Sequence, residues 1–153
     1  MPTALEIRVK NPNSDFDPTL FQFLEDAVDE YETKYDASKM MNPALNVYTI
    51  LNSERFAINA MPFNDETEVV SLGFSTDLNG THGFQFEGLN RLNFANLVYL
   101  RDNYLGTIIE ITSSDTYDFS TQAGQYDDRF DLVFTNSISA VESVFACAMV
   151  LSP

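Results

Sequence analysis

Carboxylates are the side chains with which this sequence could do the most chemistry. The chain of 153 residues carries 23 Asp and Glu against 8 Lys and Arg, and residues 15–36 alone hold eight carboxylates and one Lys. Hard cations prefer several oxygen ligands, so Asp15, Asp17, Asp26 and Asp29 could together bind Ca²⁺. The window lacks EF-hand spacing, and a solvated acidic loop is the simpler explanation. The sequence therefore leaves Ca²⁺ possible and assigns no metal ligand.

A second acidic group, Asp127 and Asp128, lies directly before Arg129. We predict a turn here with a surface ion pair, which contributes little to stability. Two carboxylates held about 5 Å or about 6.5–9.5 Å apart could instead hydrolyse a glycoside. With 23 acidic residues some pair will meet that condition by chance. A glycoside hydrolase therefore stays an alternative, and we do not predict an enzyme.

The nucleophiles and bases available for catalysis are few. His82 alternates with Phe84 and Phe86, which favours a sheet residue near a turn over a ligand or base. Cys147 has no His or Lys beside it that would lower its thiol pKa, so we interpret it as a small buried side chain. The sequence contains no glycine-rich phosphate loop. We assign no catalytic residue and no cofactor-binding residue.

Four tyrosines fall in or beside predicted loops at the ends of hairpins: Tyr99, Tyr104, Tyr117 and Tyr126. If they converge on one surface, they could stack on sugar rings. Such tyrosines more often close the edge of a sheet with the hydroxyl in water. Their convergence would separate a carbohydrate-binding module from a module that only spaces or displays.

Alternation of apolar and polar residues dominates the chain and predicts about nine or ten short strands. The clearest apolar sets are Leu5, Ile7 and Val9; Phe56, Ile58 and Ala60; Val70, Leu72 and Phe74; Val98 and Leu100; and Phe130, Leu132 and Phe134. Short strands at this spacing indicate an all-β fold. We predict an antiparallel β-sandwich of jelly-roll or Ig-like type.

Turn residues separate the predicted strands. Asn79-Gly80 lies between two alternating runs and is the strongest hairpin signal, because both residues tolerate positive φ. Residues 102–106 resemble a longer hairpin loop, and residues 113–115 and 123–125 are further turn clusters. Residues 18–31 are ambiguous. Asp17-Pro18 could cap a helix, but we favour a strand followed by an acidic loop.

Charge and hydropathy exclude several classes of partner. A net charge of −15 repels nucleic acid and anionic membranes, and no apolar run reaches the roughly 20 residues of a membrane helix. Residues 1–10 lack the pattern of a signal peptide. A single Cys excludes an internal disulfide but leaves the redox compartment open.

Three patches together resemble β-sandwich modules of large secreted Bacteroidetes proteins. The first is Tyr35-Asp36-Ala37-Ser38-Lys39-Met40. The second, residues 98–107, is similar to an x-Y-L-x-D-x-x-x-G-T hairpin, and the third runs from Tyr117 to Phe130 and resembles a closing hairpin. Such modules lie next to a C-terminal sorting domain that the type IX secretion system reads.

The resemblance implies a division of the chain and a cellular location. Residues 1–136 would form the β-sandwich module, and residues 137–153 a linker with the truncated start of a sorting domain. We expect a non-catalytic accessory domain of a secreted or cell-surface protein, used for display, spacing or adhesion. Its partners would be the secretion machinery and a glycan or surface protein. A carbohydrate-binding or adhesin module, Ca²⁺-assisted or not, is the alternative.

Overall fold

The computed structural model describes residues 4–23, 36–62, 67–89, 97–112 and 116–135. Eleven strands are found in these ranges, so the all-β prediction is confirmed and the strand count is slightly higher than expected. They are β1 (Leu5–Lys10), β2 (Phe16–Phe23), β3 (Ala37–Ser38), β4 (Leu45–Leu51), β5 (Glu54–Met61), β6 (Thr67–Thr76), β7 (Gly80–Glu87), β8 (Leu97–Asp102), β9 (Thr107–Glu110), β10 (Thr116–Thr121) and β11 (Gly124–Thr135).

The strands join in one sheet. Their order is β10-β7-β1-β2-β5-β4-β6-β11-β8-β9, and β3 pairs with β5 beside this path. The β2–β5 pair is parallel and the other described pairs are antiparallel, so the sheet is mixed rather than purely antiparallel. It curls strongly into a half-barrel.

Curling brings strands that are distant in the sheet into contact through a core rich in phenylalanine. Phe21 of β2 stacks on Phe134 of β11 with ring centroids 5.1 Å apart, and Phe84 of β7 lies 4.9 Å from Phe130 of β11. The predicted alternating sets supply this core, because every second side chain of a strand points to the same face. The buried members include Leu5, Ile7, Val9, Val70, Leu72, Phe74, Phe130, Leu132 and Phe134.

The predicted hairpin at Asn79-Gly80 is wrong. β6 pairs with β4 and β11, whereas β7 pairs with β1 and β10, so this turn joins strands that do not pair with each other. Asn79 Oδ1 instead accepts a hydrogen bond from Ala123 N at 2.7 Å. Both flanking strands already have neighbours on each side, which leaves the turn to cross between opposing parts of the curled sheet.

The closing hairpin between Tyr117 and Phe130 is wrong for the same reason. β10 pairs with β7, and β11 pairs with β6 and β8, so the turn at Ala123-Gly124 is also a crossing. The predicted hairpin loop at residues 102–106 is confirmed, since β8 and β9 pair with Asp102 opposite Thr107. Residues 113–115 lie outside the described residues.

Two hairpins that the sequence did not single out are present. β1 pairs with β2, and β4 pairs with β5 with Leu51 opposite Glu54. The β4–β5 turn is Asn52-Ser53, and both residues have positive φ, 53° and 65°. Such a two-residue turn matches the twist of the strands that it joins.

The ambiguous stretch begins as a strand. β2 covers Phe16–Phe23, and residues 24–31 lie outside the described residues, as does the predicted linker and sorting-domain start at 137–153. Among the ranges that the structure describes, no helix is long and apolar enough to span a membrane.

Candidate binding surface at one end of the half-barrel

A bulge in β11 determines the chemistry at one end of the half-barrel. Tyr126 lies opposite Phe74 of β6, but Phe130 lies opposite Leu72, so four steps along β11 match two along β6. Extra residues in a bulge re-aim side chains. Here they turn Arg129 into the interior, where the residue is only 5% exposed. The predicted surface ion pair with its chain neighbours is therefore wrong.

The partner of Arg129 is Asp102, at the end of β8. Arg129 Nε donates to Asp102 Oδ1 at 3.1 Å and Nη2 donates to Oδ2 at 2.9 Å, and Asp102 is 1% exposed. The hydroxyl of Tyr117 donates to Oδ2 at 2.9 Å, and Arg129 Nη1 donates to Ser120 O at 3.3 Å. The pair thus links β8 and β11 to β10, at the opposite end of the sheet order.

The charge of Asp102 is held by these hydrogen bonds. Burial alone raises the pKa of a carboxyl, but the hydrogen bonds from Arg129 and Tyr117 outweigh it and lower the pKa of Asp102. The same carboxylate accepts from the backbone N–H groups of Tyr104 and Leu105 at 3.0 and 3.3 Å. Asp102 therefore also fixes the β8–β9 loop.

Above the ion pair lies a group of side chains that we term the tyrosine rim: Tyr104, Leu105, Tyr117 and Tyr126. Tyr104 and Tyr126 meet edge to face with centroids 6.0 Å apart, and the guanidinium carbon of Arg129 is 5.3 Å from the Tyr104 centroid. Tyr104 and Leu105 are 55% and 63% exposed. The rim thus presents an apolar tip on a rigid base.

Three of the four tyrosines considered from the sequence therefore converge. Tyr99 does not, because it alternates with the buried Val98 and Leu100 and so projects from the outer face of β8. The hydroxyl of Tyr104 lies 3.2 Å from Asp128 Oδ1, which places a carboxylate beside the exposed ring.

The outer side of the bulge carries a second ion pair. Asp127 accepts from Arg55 Nη2 at 2.7 Å and from the hydroxyl of Tyr48 at 2.5 Å. Burial and then the contact with Asp127 raise the pKa of Tyr48. Burial raises the pKa of Asp127, but hydrogen bonds from Tyr48 and Arg55 outweigh it, and the pKa is lowered. The Tyr48 ring lies directly over Gly73. A Cβ atom added to Gly73 would lie 2.3 Å from Tyr48 Cε1.

The proposed Ca²⁺ ligands are not brought together where the structure describes them. Asp17 Oδ2 accepts from Lys39 Nζ at 2.6 Å and from Val47 N at 2.9 Å, so this carboxylate ties β2 to the start of β4. Asp15 lies in the β1–β2 loop beside Asn11, and Asp26 and Asp29 lie outside the described residues. Within the described ranges no three His, Cys, Asp or Glu residues are grouped to hold a metal ion.

His82 lies in β7, two residues after the turn glycine, as its alternation with Phe84 and Phe86 predicts. Its Nδ1–H faces Gly80 O at 3.1 Å and Nε2 lies 2.8 Å from Thr76 Oγ1. The ring is buried beside Phe74 and Phe119. Its polar atoms therefore serve the β6–β7 crossing, and Cys147 lies outside the described residues.

A family model described as a domain of unknown function, DUF8693, matches the chain over residues 5–134. The chain belongs to the DUF8693 family. The DUF8693 match runs from the first residue of β1 to the penultimate residue of β11, so the whole curled sheet is the DUF8693 domain. No curated protein and no solved structure matches the chain.

Proposed function

We propose that this DUF8693 domain is a non-catalytic binding module that a secreted or cell-surface protein displays. One observation carries the proposal. The ionisable groups beneath the tyrosine rim bond to each other, while Tyr104 and Leu105 of the rim are exposed. Arg129 and Asp102 satisfy one another, and Asp128 contacts Tyr104. Such a rim has contact area to offer a partner and no free base or nucleophile to offer a substrate.

The carboxyl groups at this end also favour binding over hydrolysis. A glycosidase needs one carboxyl with a raised pKa to act as general acid. Hydrogen bonds from Arg129 and Tyr117 lower the pKa of Asp102, and those from Tyr48 and Arg55 lower the pKa of Asp127. The two carboxyls are therefore suited to hold charge in ion pairs rather than to deliver protons.

The export route belongs to the same proposal. The second sequence patch supports a module next to a type IX sorting domain, because the β8–β9 hairpin that it implies is present. Partners would then be the secretion machinery, through a sorting domain beyond residue 137, and a surface molecule at the rim. The facing halves of the curled sheet would pack like the layers of a sandwich, as the Phe21–Phe134 stack suggests.

A second candidate function is carbohydrate or adhesin binding, with or without Ca²⁺. The contact of the exposed Tyr104 with the partly buried Tyr126, close to Tyr117 and its bond to Asp102, favours it, because aromatic rings beside polar groups are typical of ligand sites. Only this rim, and not the acidic window at 15–36, carries the argument.

Binding by the rim is tested with a double variant. Tyr104→Ala with Leu105→Ala removes the exposed tip and leaves Asp102 and Arg129 in place. The fluorescently labelled variant should lose binding to a glycan array and to immobilised cell-surface protein. Val69→Ala, a matched change at another exposed apolar residue, should keep it. Equal binding by both variants would refute the rim.

Absence of catalysis is tested separately. A panel of chromogenic glycosides should show no turnover by the wild-type chain. Hydrolysis that Asp127→Asn or Asp128→Asn abolishes would overturn the proposal in favour of the hydrolase alternative. Fractionation of cells that express the complete reading frame tests the export route, since deleting the type IX translocon should remove the protein from the cell exterior.

A further inference from the structure

The outer face of four adjacent strands carries an aligned row of side chains away from the tyrosine rim. Asp118 of β10 lies opposite Gly83 of β7, Gly83 lies opposite Lys10 of β1, and Lys10 lies opposite Phe16 of β2. With neighbouring strands about 4.8 Å apart, this row spans about 14 Å. We term it the Gly83 lane.

Gly83 forms the floor of an open groove of about 680 Å³. A Cβ atom at this position would lie 2.7 Å from Asp118 Oδ1 and 3.2 Å from Thr116 Cγ2. The missing side chain is therefore what leaves room for the Asp118 carboxylate over the middle of the lane. The groove walls include Lys10, Thr81, Gln85, Thr116 and Asp118.

The charged groups of the lane are available to a ligand. Among the described residues, Lys10 and Asp118 form no ion pair or side-chain hydrogen bond, whereas nearby Arg8 bonds Glu6 at 3.2 Å. Two strand spacings separate Lys10 from Asp118, about 10 Å, with the glycine between them. These are backbone spacings, and the Asp118 carboxylate reaches over Gly83, so the lane offers one donor cation and one acceptor carboxylate beside the glycine.

An exposed aromatic ring ends the lane. Phe16 is 61% exposed, and the guanidinium carbon of Arg8 lies 5.4 Å from its ring centroid. The Arg8 cation over the ring holds Phe16 at the β2 end of the lane, next to the groove rather than in its lining.

We infer that the Gly83 lane binds a neutral glycan. A polyanion would meet Asp118 and a net charge of −15, and a cation would meet Lys10, so the lane favours a neutral ligand. Hydroxyl groups can accept from Lys10, donate to Asp118 and bond Thr81, Gln85 and Thr116. A sugar ring also has an apolar face for Phe16. A few polar groups that orient a ligand, together with an aromatic side chain that it can contact, are the usual elements of a binding site.

This inference rests on the proposed function only in taking the chain to be a binding module. The lane and the tyrosine rim share no residue. Variants of each can therefore be measured against the same ligands, and failure of one surface does not imply failure of the other.

The experiment is a calorimetric titration of the full chain with neutral hexaoses of glucose, mannose, xylose and N-acetylglucosamine, with dextran sulfate as the polyanion. We expect at least one neutral hexaose to bind and dextran sulfate not to bind. Asp118→Asn and Phe16→Ala should each raise Kd roughly tenfold, since hydrogen bonds to charged groups and stacked rings each contribute about that much. Gly83→Ala should abolish binding, because its Cβ would push the Asp118 carboxylate out of its position in the lane.

Two controls make the result specific. Tyr104→Ala removes an exposed ring from the rim and should leave the Kd for the hexaose unchanged. Thermal melts of Asp118→Asn, Phe16→Ala and Tyr104→Ala should match the wild type, because all three side chains are exposed, whereas Gly83→Ala should melt somewhat lower because its Cβ crowds Asp118 and Thr116. If a hexaose binds and only Tyr104→Ala weakens it, the lane is wrong and the rim is the glycan site. If no neutral hexaose binds at millimolar concentration, or if dextran sulfate binds in the lane, the inference is overturned.

Discussion

Arg129 and Asp102 form a two-point ion pair in the interior of the half-barrel, with Nε–Oδ1 and Nη2–Oδ2 distances of 3.1 and 2.9 Å. The attraction between the two groups offsets the free-energy cost of removing each of them from water. A buried pair of this kind is weak evidence for stability as a whole, but loss of one partner leaves an uncompensated charge.

The first prediction concerns this pair. Arg129→Met should lower the free energy of unfolding by about 3–5 kcal/mol, because a buried carboxylate loses its counter-charge. Asp102→Asn keeps an oxygen that accepts from the loop amides but leaves the Arg129 guanidinium without its counter-charge. It should lower the free energy of unfolding by a similar amount. The double variant should cost clearly less than the sum. Urea denaturation of all four proteins gives the coupling, and strictly additive costs would show that the pair is not coupled.

The second prediction concerns acid. The pKa of Asp102 is lowered in the folded chain relative to about 3.9 when unfolded. Its contribution to stability is therefore complete above about pH 4–5 and declines as pH falls through the lower folded-state pKa. The Asp102→Asn, Arg129→Met variant should lose less stability than the wild type between about pH 6 and pH 3.

Urea midpoints at the two pH values measure this difference. Asp127, whose pKa is also lowered, is present in both proteins and cancels in the comparison. Parallel losses of stability in the two proteins would contradict the assignment of the acid sensitivity to Asp102.

The third prediction distinguishes two glycines. Gly73→Ala would place a Cβ 2.3 Å from Tyr48 Cε1, and that ring is held by the bond from its hydroxyl to Asp127. We expect a loss of about 1–3 kcal/mol from overpacking. Gly106 has open space around it but a φ of 68°, so Gly106→Ala should cost about 1–2 kcal/mol through backbone strain.

Asn tolerates positive φ, so Gly106→Asn should recover part of that loss, whereas Gly73→Asn should be worse than Gly73→Ala. Thermal melts compare the four variants. Equal behaviour of the two sites would mean that Tyr48 can move away from Gly73.

The fourth prediction uses the β4–β5 turn. Ser53 has a φ of 65°, a region that glycine adopts without cost, so Ser53→Gly should stabilise the chain by about 0.5–1 kcal/mol. Ser14→Gly, at a φ of 67° in the β1–β2 loop, should act in the same direction. Ser75→Gly inside β6 is the control and should destabilise. A melting temperature that falls for Ser53→Gly would contradict the turn geometry.

The strands could be predicted from the sequence, but their partners could not. Apolar alternation at Leu5, Ile7 and Val9 depends only on which face is buried, and that face is the same whichever strand lies beside it. The Asn79-Gly80 turn has the right residues for a hairpin. The sequence of the turn does not reveal that β6 and β7 each pair with two other strands.

The candidate site shows the same limit. In the sequence, Arg129 has the pattern of a surface residue beside Asp127 and Asp128. The local sequence does not indicate the bulge that turns Arg129 inward. Its true partner, Asp102, is 27 residues away. Asp17 likewise looks like a cation ligand until Lys39 is folded against it. Convergence of Tyr104 with Tyr126 could be posed as a question from the sequence and answered only by the fold.

The strand order also bears on how fast the chain reaches its native state. β1 is completed by β7, more than 70 residues downstream of its start, and β11 inserts between β6 and β8. Strands so far apart along the chain can pair only after the long loop between them closes, which costs entropy before any contact forms. Proteins dominated by such pairings fold on the millisecond-to-second scale. An N-terminal truncation that removes β1 would therefore leave β7 without one of its two neighbours. The exposed edge of β7 would then be open to association with other chains.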